Sequence, residues 1–120
     1  MENPSHHPPP PWLAALRDRA ADAAGIAPQR LEQFLIARYP PGASIGWHRD
    51  APMFGAPVLG VSLVSECRMR FRKGDVTFTQ ILQPRSLYIL AKAARTVWQH
   101  HILPTKNLRY SVTMRTMRST

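Results

Sequence analysis

A histidine and an aspartate lie two residues apart in the segment GWHRD, at His48 and Asp50. In a β-strand, both side chains would point to the same face of the sheet, while Arg49 would point to the other. Imidazole and carboxylate groups are common ligands of divalent transition metals. The spacing therefore predicts two ligands of one metal ion. The alternative is two polar residues that happen to alternate along a strand.

A metal site needs a third ligand from another part of the chain. Of the five histidines, His6 and His7 lie near the N-terminus, which leaves His100 and His101. Either of these would complete a set of two histidines and one carboxylate. That set is the facial triad of non-haem Fe(II) oxygenases, which leaves coordination positions open for a co-substrate and oxygen.

The segment LRYSVTMRT places further polar side chains on one face of a predicted strand. The alternating residues of this face are Arg109, Ser111, Thr113 and Arg115. Burying guanidinium groups is costly unless anions pair with them. A dicarboxylate co-substrate would supply such anions through two-pronged hydrogen bonds, whereas a solvated basic edge strand would need none.

The elements that must position these residues follow from the pattern of apolar and turn residues. Apolar residues at helical spacing predict one amphipathic helix over residues 12–24, ended by Gly25. Beyond it, short β-rich runs alternate with turn residues. Strands are predicted at 34–39, 44–49, 58–65, 67–72, 76–82, 87–90, 96–102 and 108–116. This pattern predicts a mainly β fold, a double-stranded β-helix (jelly roll) of about eight strands with the N-terminal helix packed outside.

The length of 120 residues predicts a single folded domain. Residues 1–11 are polar and proline-rich and predict a disordered leader, which leaves residues 12–120 as one jelly-roll domain. The leader lacks the charged and apolar regions of a signal peptide, and no apolar run approaches the roughly 20 residues of a membrane span. We therefore expect a cytoplasmic monomer that does not contact membranes. The single cysteine, Cys67, excludes an intramolecular disulfide.

The charge of the chain is strongly positive, with 16 basic against 7 acidic residues and a net charge of +9. Thirteen of the basic residues are arginines, whose planar fork matches the geometry of phosphate groups. Neutralising phosphates also releases their counterions, so this charge predicts DNA or RNA as a partner. The alternative is that the charge serves solubility alone. Arg68, Arg70 and Arg72 alternate on one strand face and fit either a phosphate track or a solvated surface.

Four segments resemble, in the same order, motifs of the AlkB family of Fe(II)- and 2-oxoglutarate-dependent dioxygenases. The resemblance extends from about Phe34 to Arg115, and its segments are RYPPGASIGWHRD, GVSLVSECRMRFR, ARTVWQHHI and RYSVTMR. It implies Fe(II) as the metal, and His48, Asp50 and His100 as its ligands. His100 is preferred to His101 because the family pattern is an aromatic residue, any residue, then histidine, and Trp98 fixes that register.

The resemblance also implies a binding site for 2-oxoglutarate. Arg109 would pair with the distal carboxylate of this co-substrate, Tyr39 would donate a hydrogen bond to it, and Arg115 would lie near the other carboxylate. Ser111 shares a strand face with the two arginines, so we assign it to the same site.

The activity that the resemblance implies is oxidation of a substrate C–H bond by O2, coupled to decarboxylation of 2-oxoglutarate to succinate. An N-methyl group hydroxylated in this way loses formaldehyde, so the expected outcome is demethylation of N-alkylated nucleobases in DNA or RNA. One alternative is the same chemistry on a protein or a small molecule. Another is a non-catalytic, basic β-sandwich that binds nucleic acid through its arginines.

Two positions depart from the AlkB pattern. Ala37 replaces an asparagine that some relatives have, and Pro52 replaces the second acidic residue of the base-repair members. In addition, only 33 residues precede Phe34, where the family normally has a nucleotide-recognition lid. The resemblance therefore implies a short or N-terminally truncated member, in which direct contact with an alkylated base is changed.

Overall fold

A computed structural model of the chain describes residues 9–118. It contains one long helix, a 3₁₀ turn, eight strands and one short helix. Their bounds are α1 (Pro11–Ala24), the turn Pro28–Arg30, β1 (Leu31–Tyr39), β2 (Ile45–His48), β3 (Phe54–Leu63), β4 (Cys67–Lys73), β5 (Val76–Leu82), β6 (Ser86–Leu90), α2 (Ala93–Thr96), β7 (Gln99–Ile102) and β8 (Arg109–Met117).

The strands form two four-stranded sheets in which every neighbouring pair is antiparallel. The first sheet has the order β1-β8-β3-β6 and the second β2-β7-β4-β5. Consecutive strands therefore alternate between the sheets along most of the chain, as in a jelly roll. The predicted fold class, a mainly β jelly roll of about eight strands with one N-terminal helix, is confirmed.

Helix α1 covers the outer face of the first sheet. Leu13, Ala20 and Ala21 on the helix pack against a layer of buried side chains that includes Leu59 and Met114. The two alanines let the helix approach the sheet closely, and burying Leu13 contributes about 1.5–3 kcal/mol. The helix begins one residue before the predicted bound, at a proline that suits a first helical turn.

The space between the two sheets holds a second apolar cluster and a cavity. The cluster comprises Val58, Cys67, Met69, Phe71, Leu82, Leu90 and Ile102. Four of these residues also line the adjoining cavity, which has a volume of about 70 Å³. Apolar side chains thus form one part of the cavity wall, and the rest of the wall is polar.

Three predicted strand starts were wrong by three residues or more. Strand β1 begins at Leu31 rather than at residue 34, and the starts of β7 and β3 each have an identifiable cause. Residues 96–98 are not part of β7, because the chain first closes one helical turn in which the N–H groups of Val97 and Trp98 both donate to the carbonyl of Ala93. Strand β3 begins at Phe54 rather than at residue 58, because an irregular register with β8 accommodates Pro57 inside the strand. In both places, local hydrogen bonding outweighs the residue preferences on which the prediction depended.

Most of the predicted leader, residues 1–8, lies outside the described residues. In the part of the chain that the structure covers, no helix is both long and apolar enough to cross a membrane.

Gly60 in β3 lies directly under the ring of Tyr88, its partner across the strand pair in β6. A Cβ at this position would overlap the tyrosine ring, and overpacking of this kind typically costs about 1–3 kcal/mol. We predict that Gly60→Ala lowers the free energy of unfolding, measured by urea denaturation, by about that amount. Gly46→Ala in β2 is the matched control, because nothing lies within 4 Å of its added Cβ. Unchanged stability of the Gly60 variant would contradict the packing of Tyr88 described above.

Candidate metal and co-substrate site

Strands β2 and β7 bring together the three residues predicted to bind a metal. His48 is the last residue of β2 and pairs with His100 of β7, and Asp50 follows two residues later. One ligand atom from each of the three lies within 4.8 Å of the others. The ring of His101 faces the opposite side of the sheet and contacts Trp47 edge-on at a centroid distance of 5.0 Å. The structure thus assembles the predicted set, and its role as an iron site stays a prediction.

The surroundings of both histidines suit metal coordination. Nδ1 of His48 lies 2.8 Å from the carbonyl oxygen of Gly46, so it carries the proton and leaves Nε2 free. Burial, together with the nearby His48, lowers the pKa of His100 to about 4, although Asp50 acts in the opposite direction. His100 is therefore neutral at neutral pH, and its buried Nδ1 has no hydrogen-bond partner among residues 9–118. A neutral His100 beside the free Nε2 of His48 and the carboxylate of Asp50 fits a divalent metal.

Arg115 forms an ion pair with the carboxylate of Asp50. Nε of this arginine lies 3.6 Å from Oδ2 of Asp50, and Nη1 donates to Oε1 of Gln33 at 3.2 Å. The guanidinium also lies over the ring of Phe54, 4.8 Å from its centroid. Arg115 was predicted to lie near the second carboxylate of 2-oxoglutarate, and the structure places it at the metal end of the cavity.

A second arginine, Arg95, holds the backbone of the turn that follows Asp50. The Arg95 side chain is buried and donates to the carbonyl oxygens of Asp50, Ala51, Phe54 and Gly55 at 2.7–3.4 Å. These contacts show that Arg95 supports the turn after Asp50 and is not a surface charge. Arg49 adds a second link, because it donates twice to the carbonyl of Val97, at 2.9 and 3.1 Å.

Arg109 is the most deeply buried cation of the site. It is 1% exposed, its Nε donates to Oγ of Ser62 at 3.0 Å, and its guanidinium lies 5.0 Å from the ring centroid of Tyr39. Within residues 9–118, no carboxylate lies within ion-pair distance of it. A buried cation with only neutral neighbours is costly, and an anionic ligand in the cavity would remove that cost. The arginine therefore fits a carboxylate-bearing co-substrate.

All seven residues predicted for the site line the cavity between the sheets. They are Tyr39, His48, Asp50, His100, Arg109, Ser111 and Arg115. Their functions as ligands of iron and 2-oxoglutarate stay predictions, since shared lining alone does not identify what binds.

The sequence analysis missed one polar residue of the cavity, Tyr88. Burial raises the pKa of its hydroxyl to about 12, although the nearby Arg109 and a hydrogen bond with Thr113 act in the opposite direction. Tyr88 is therefore neutral at physiological pH and can donate a hydrogen bond into the cavity. The only sequence signal for it is the alternation of Ser86, Tyr88 and Leu90, which places the three on one strand face.

Sequence comparisons link this chain to known proteins. It matches the model of the 2OG-Fe(II) oxygenase superfamily over residues 1–119. It is 33% identical over 85 residues to the uncharacterized protein L905 of Acanthamoeba polyphaga mimivirus, covering 68% of this chain and 40% of that protein. It is 32% identical over 84 residues to the tRNA (carboxymethyluridine(34)-5-O)-methyltransferase alkbh8 of Xenopus tropicalis, covering 68% of this chain and 13% of that protein. The chain thus spans less than half the length of either relative.

Solved structures similar to this chain share its fold at low sequence identity. Oxalate oxidase in complex with glycolate has a TM-score of 0.55 and 12% identity, over 72% of this chain and 42% of that one. A cupin domain from Bordetella pertussis has a TM-score of 0.52 and 19% identity, over 71% and 80%. A predicted oxalate decarboxylase from Thermotoga maritima has a TM-score of 0.54 and 16% identity, over 82% and 74%.

These neighbours establish the jelly-roll architecture, while the family match extends over the strands that bring His48, Asp50 and His100 together. By that match, the chain belongs to the 2OG-Fe(II) oxygenase superfamily.

Proposed function

We propose that this protein is an AlkB-type dioxygenase that uses Fe(II), 2-oxoglutarate and O2 to demethylate N-alkylated nucleobases in DNA or RNA. His48, Asp50 and His100 would hold the iron, which when bound supplies the oxidation coupled to conversion of 2-oxoglutarate to succinate and CO2. The observation that carries the proposal is the buried Arg109 without a carboxylate partner in the described chain, in the same cavity as these three residues.

The cavity residues have separate tasks in this proposal. Arg109 and Tyr39 bind the distal carboxylate of 2-oxoglutarate, and the neutral hydroxyl of Tyr88 is available as a further donor. Arg115 keeps the carboxylate of Asp50 oriented, and Arg95 keeps its backbone in place. Val58 and Met69 form apolar parts of the cavity wall, and a lower local dielectric beside them would strengthen these polar contacts.

The choice of nucleic acid as substrate is supported by charge and by the order of the motifs. The net charge of +9 favours a polyanion, and four segments follow the AlkB order. The Xenopus relative is named as an enzyme of tRNA, but the match covers 13% of it, so its methyltransferase activity is not carried over. Pro52, where base-repair members have an acidic residue, means that the alkylated base would be bound by other groups.

The first functional prediction concerns the triad. Anaerobic addition of Fe(II) and 2-oxoglutarate to the wild-type protein should produce the visible absorption band of an iron chelate. With oxygen and an oligonucleotide bearing N-methylated bases, succinate and formaldehyde should form in equal amounts. Asp50→Ala should abolish the band and both products while the circular dichroism spectrum stays unchanged, because Asp50 borders a cavity.

Three results would count against this assignment. Succinate production by the Asp50 variant would contradict the triad. Absence of the band in the wild-type protein would contradict the oxygenase activity itself. Succinate without formaldehyde across methylated DNA and RNA oligonucleotides would contradict the nucleobase substrate and favour a protein or small molecule oxidised by the same chemistry.

The second functional prediction concerns Arg109. Arg109→Ala should raise the 2-oxoglutarate concentration needed for half-maximal turnover by about 100-fold, since a charge-assisted pair in a desolvated site is worth several kcal/mol. Iron binding should be retained. Arg38→Ala is the matched control, because Arg38 is exposed on the other face of the same sheet, beside Tyr39 in β1. Equal 2-oxoglutarate requirements in the two variants would contradict the assignment of Arg109.

The third functional prediction concerns Arg95, which does not touch the cavity contents. Arg95→Met removes the donors to four carbonyls and should weaken Fe(II) binding by about 10–100-fold, the usual cost of losing a group that positions a metal ligand. Its 2-oxoglutarate requirement at saturating iron should change little. Arg118→Met, at an exposed position lining the same surface depression, is the control. Unchanged iron affinity in the Arg95 variant would restrict this arginine to a structural role.

A further inference from the structure

The outer face of the second sheet is uncovered, in contrast to that of the first. Helix α1 packs on the outer face of the first sheet, but every outward residue of the β2-β7-β4-β5 sheet is exposed or half-buried. We call this surface the arginine face. It comprises Trp47, Arg68, Arg70, Arg72, Thr77, Thr79, Ile81, Gln99 and His101.

The arginine face is strongly positive. Arg68, Arg70 and Arg72 alternate along β4, about 7 Å apart at the strand rise of about 3.3 Å per residue. The four strands of this sheet contain no aspartate or glutamate. The acidic residues nearest in sequence to the arginines, Glu66 and Asp75, lie outside β4 at its two ends. None of the three arginines forms an ion pair within the described part of the chain.

Two arginines of this face contact neighbouring side chains that restrict their motion. The guanidinium of Arg72 lies 4.3 Å from the ring centroid of Trp47, and its Nε donates to Oε1 of Gln99 at 2.8 Å. Arg70 lies 6.0 Å from the same ring, and His101 contacts that ring edge-on. Side chains that are ordered before binding lose less conformational entropy on binding. Two guanidinium groups held beside an aromatic ring, with the exposed Arg68 next to them, form a surface suited to an extended polyanion with aromatic groups.

We propose that the arginine face binds the phosphate backbone of single-stranded nucleic acid and holds the substrate of the oxygenase site. The choice of nucleic acid rests on the function proposed above. A single strand fits better than a duplex, because Trp47 and His101 offer rings for stacking of unpaired bases, and because a base oxidised in a closed cavity must be unpaired.

The same strands connect this face to the cavity. In β2, Trp47 points outward and His48 inward, and in β7, His101 points outward and His100 inward. Strand β2 is also an edge strand of its sheet, and Asp50 lies just beyond its end. A strand of nucleic acid on the arginine face would therefore pass around the edge of β2 to bring a base to the metal ligands. Loss of this face should weaken substrate affinity and leave the iron chemistry intact.

The test compares two triple variants of the full chain that carry the same net charge. Arg68→Ala/Arg70→Ala/Arg72→Ala removes the arginine face, while Arg19→Ala/Arg38→Ala/Arg118→Ala removes three exposed arginines from elsewhere. Binding of a fluorescein-labelled 15-nucleotide oligothymidylate would be followed by fluorescence anisotropy at several salt concentrations. Each variant would also be titrated anaerobically with Fe(II) and 2-oxoglutarate.

We expect the dissociation constant to rise more than tenfold in the face variant and less than threefold in the control. The slope of log affinity against log salt should become shallower by about 2 in the face variant, since each phosphate contact of a single strand contributes about 0.7. The chelate band should be the same in both variants and in the wild type. Arg68→Glu/Arg70→Glu, which leaves the contacts of Arg72 intact, should lose binding as well and guards against a folding defect in the triple variant.

Several results would overturn the proposal. Equal losses of oligothymidylate affinity in the two triple variants would mean that binding depends on net charge alone and not on the arginine face. Unchanged binding in the glutamate variant would exclude the face, and binding to vesicles of anionic lipid without binding to the oligonucleotide would assign the face to a membrane. The chelate titration separates this proposal from the oxygenase function. If the chelate band is missing but oligothymidylate binding depends on the arginine face, the oxygenase function is rejected and the binding face is retained. If the band is normal but binding does not depend on the arginine face, the binding face is rejected and the oxygenase function is retained.

Discussion

The pairing of β2 with β7 is the constraint on which the site depends. This short pair places His48 opposite His100, and the pairing of β7 with β4 locks the register by placing His100 opposite Phe71. A slip of one residue would turn His101 inward and His100 outward, since side chains alternate between the faces of a sheet. The bulge between Ile45 and His48 allows the turn in which the His48 ring reaches the carbonyl of Gly46. Backbone pairing thus fixes both the position and the tautomer of the first ligand.

Three buried or half-buried arginines surround this pair, and each is stabilised differently. Arg95 donates to backbone carbonyls and Arg115 lies beside the carboxylate of Asp50. Arg109 has a hydroxyl and an aromatic ring as neighbours, and no carboxylate of the described chain pairs with it. Because charged groups are costly to bury alone, the arrangement of Arg109 points to a ligand. Arg95 donates to four backbone carbonyls, while the buried Nε of Arg115 makes no hydrogen bond among residues 9–118 and has only the nearby carboxylate of Asp50. Residue type alone does not distinguish these three cases.

Much of the fold and the candidate site was predictable from period-two alternation. Alternation placed His48 with Asp50 and Arg109 with Arg115 on common faces, and the aromatic residue at Trp98 fixed the register of the distal histidine by resemblance. The acceptors of Arg95 were not predictable, because they are carbonyl oxygens of residues 50–55, about 40 positions away, and every residue type has a carbonyl. The helical turn α2 was also missed. The β-branched residues at its end suggested a strand, whereas backbone hydrogen bonds form a turn there.

The arginines that give the chain its positive charge fall into two groups, which face inward and outward. Inward-facing arginines support the candidate metal site and line its cavity, where the loss of one would change geometry. Outward-facing arginines of β4 lie on a sheet without carboxylates, where the loss of one changes the surface potential. In β2 and β7, neighbouring side chains likewise point to opposite faces of the sheet. Trp47 and His101 point outward, and His48 and His100 point toward the cavity. The same alternation that builds the cavity thus places the proposed substrate surface one residue away from each histidine of the candidate metal site.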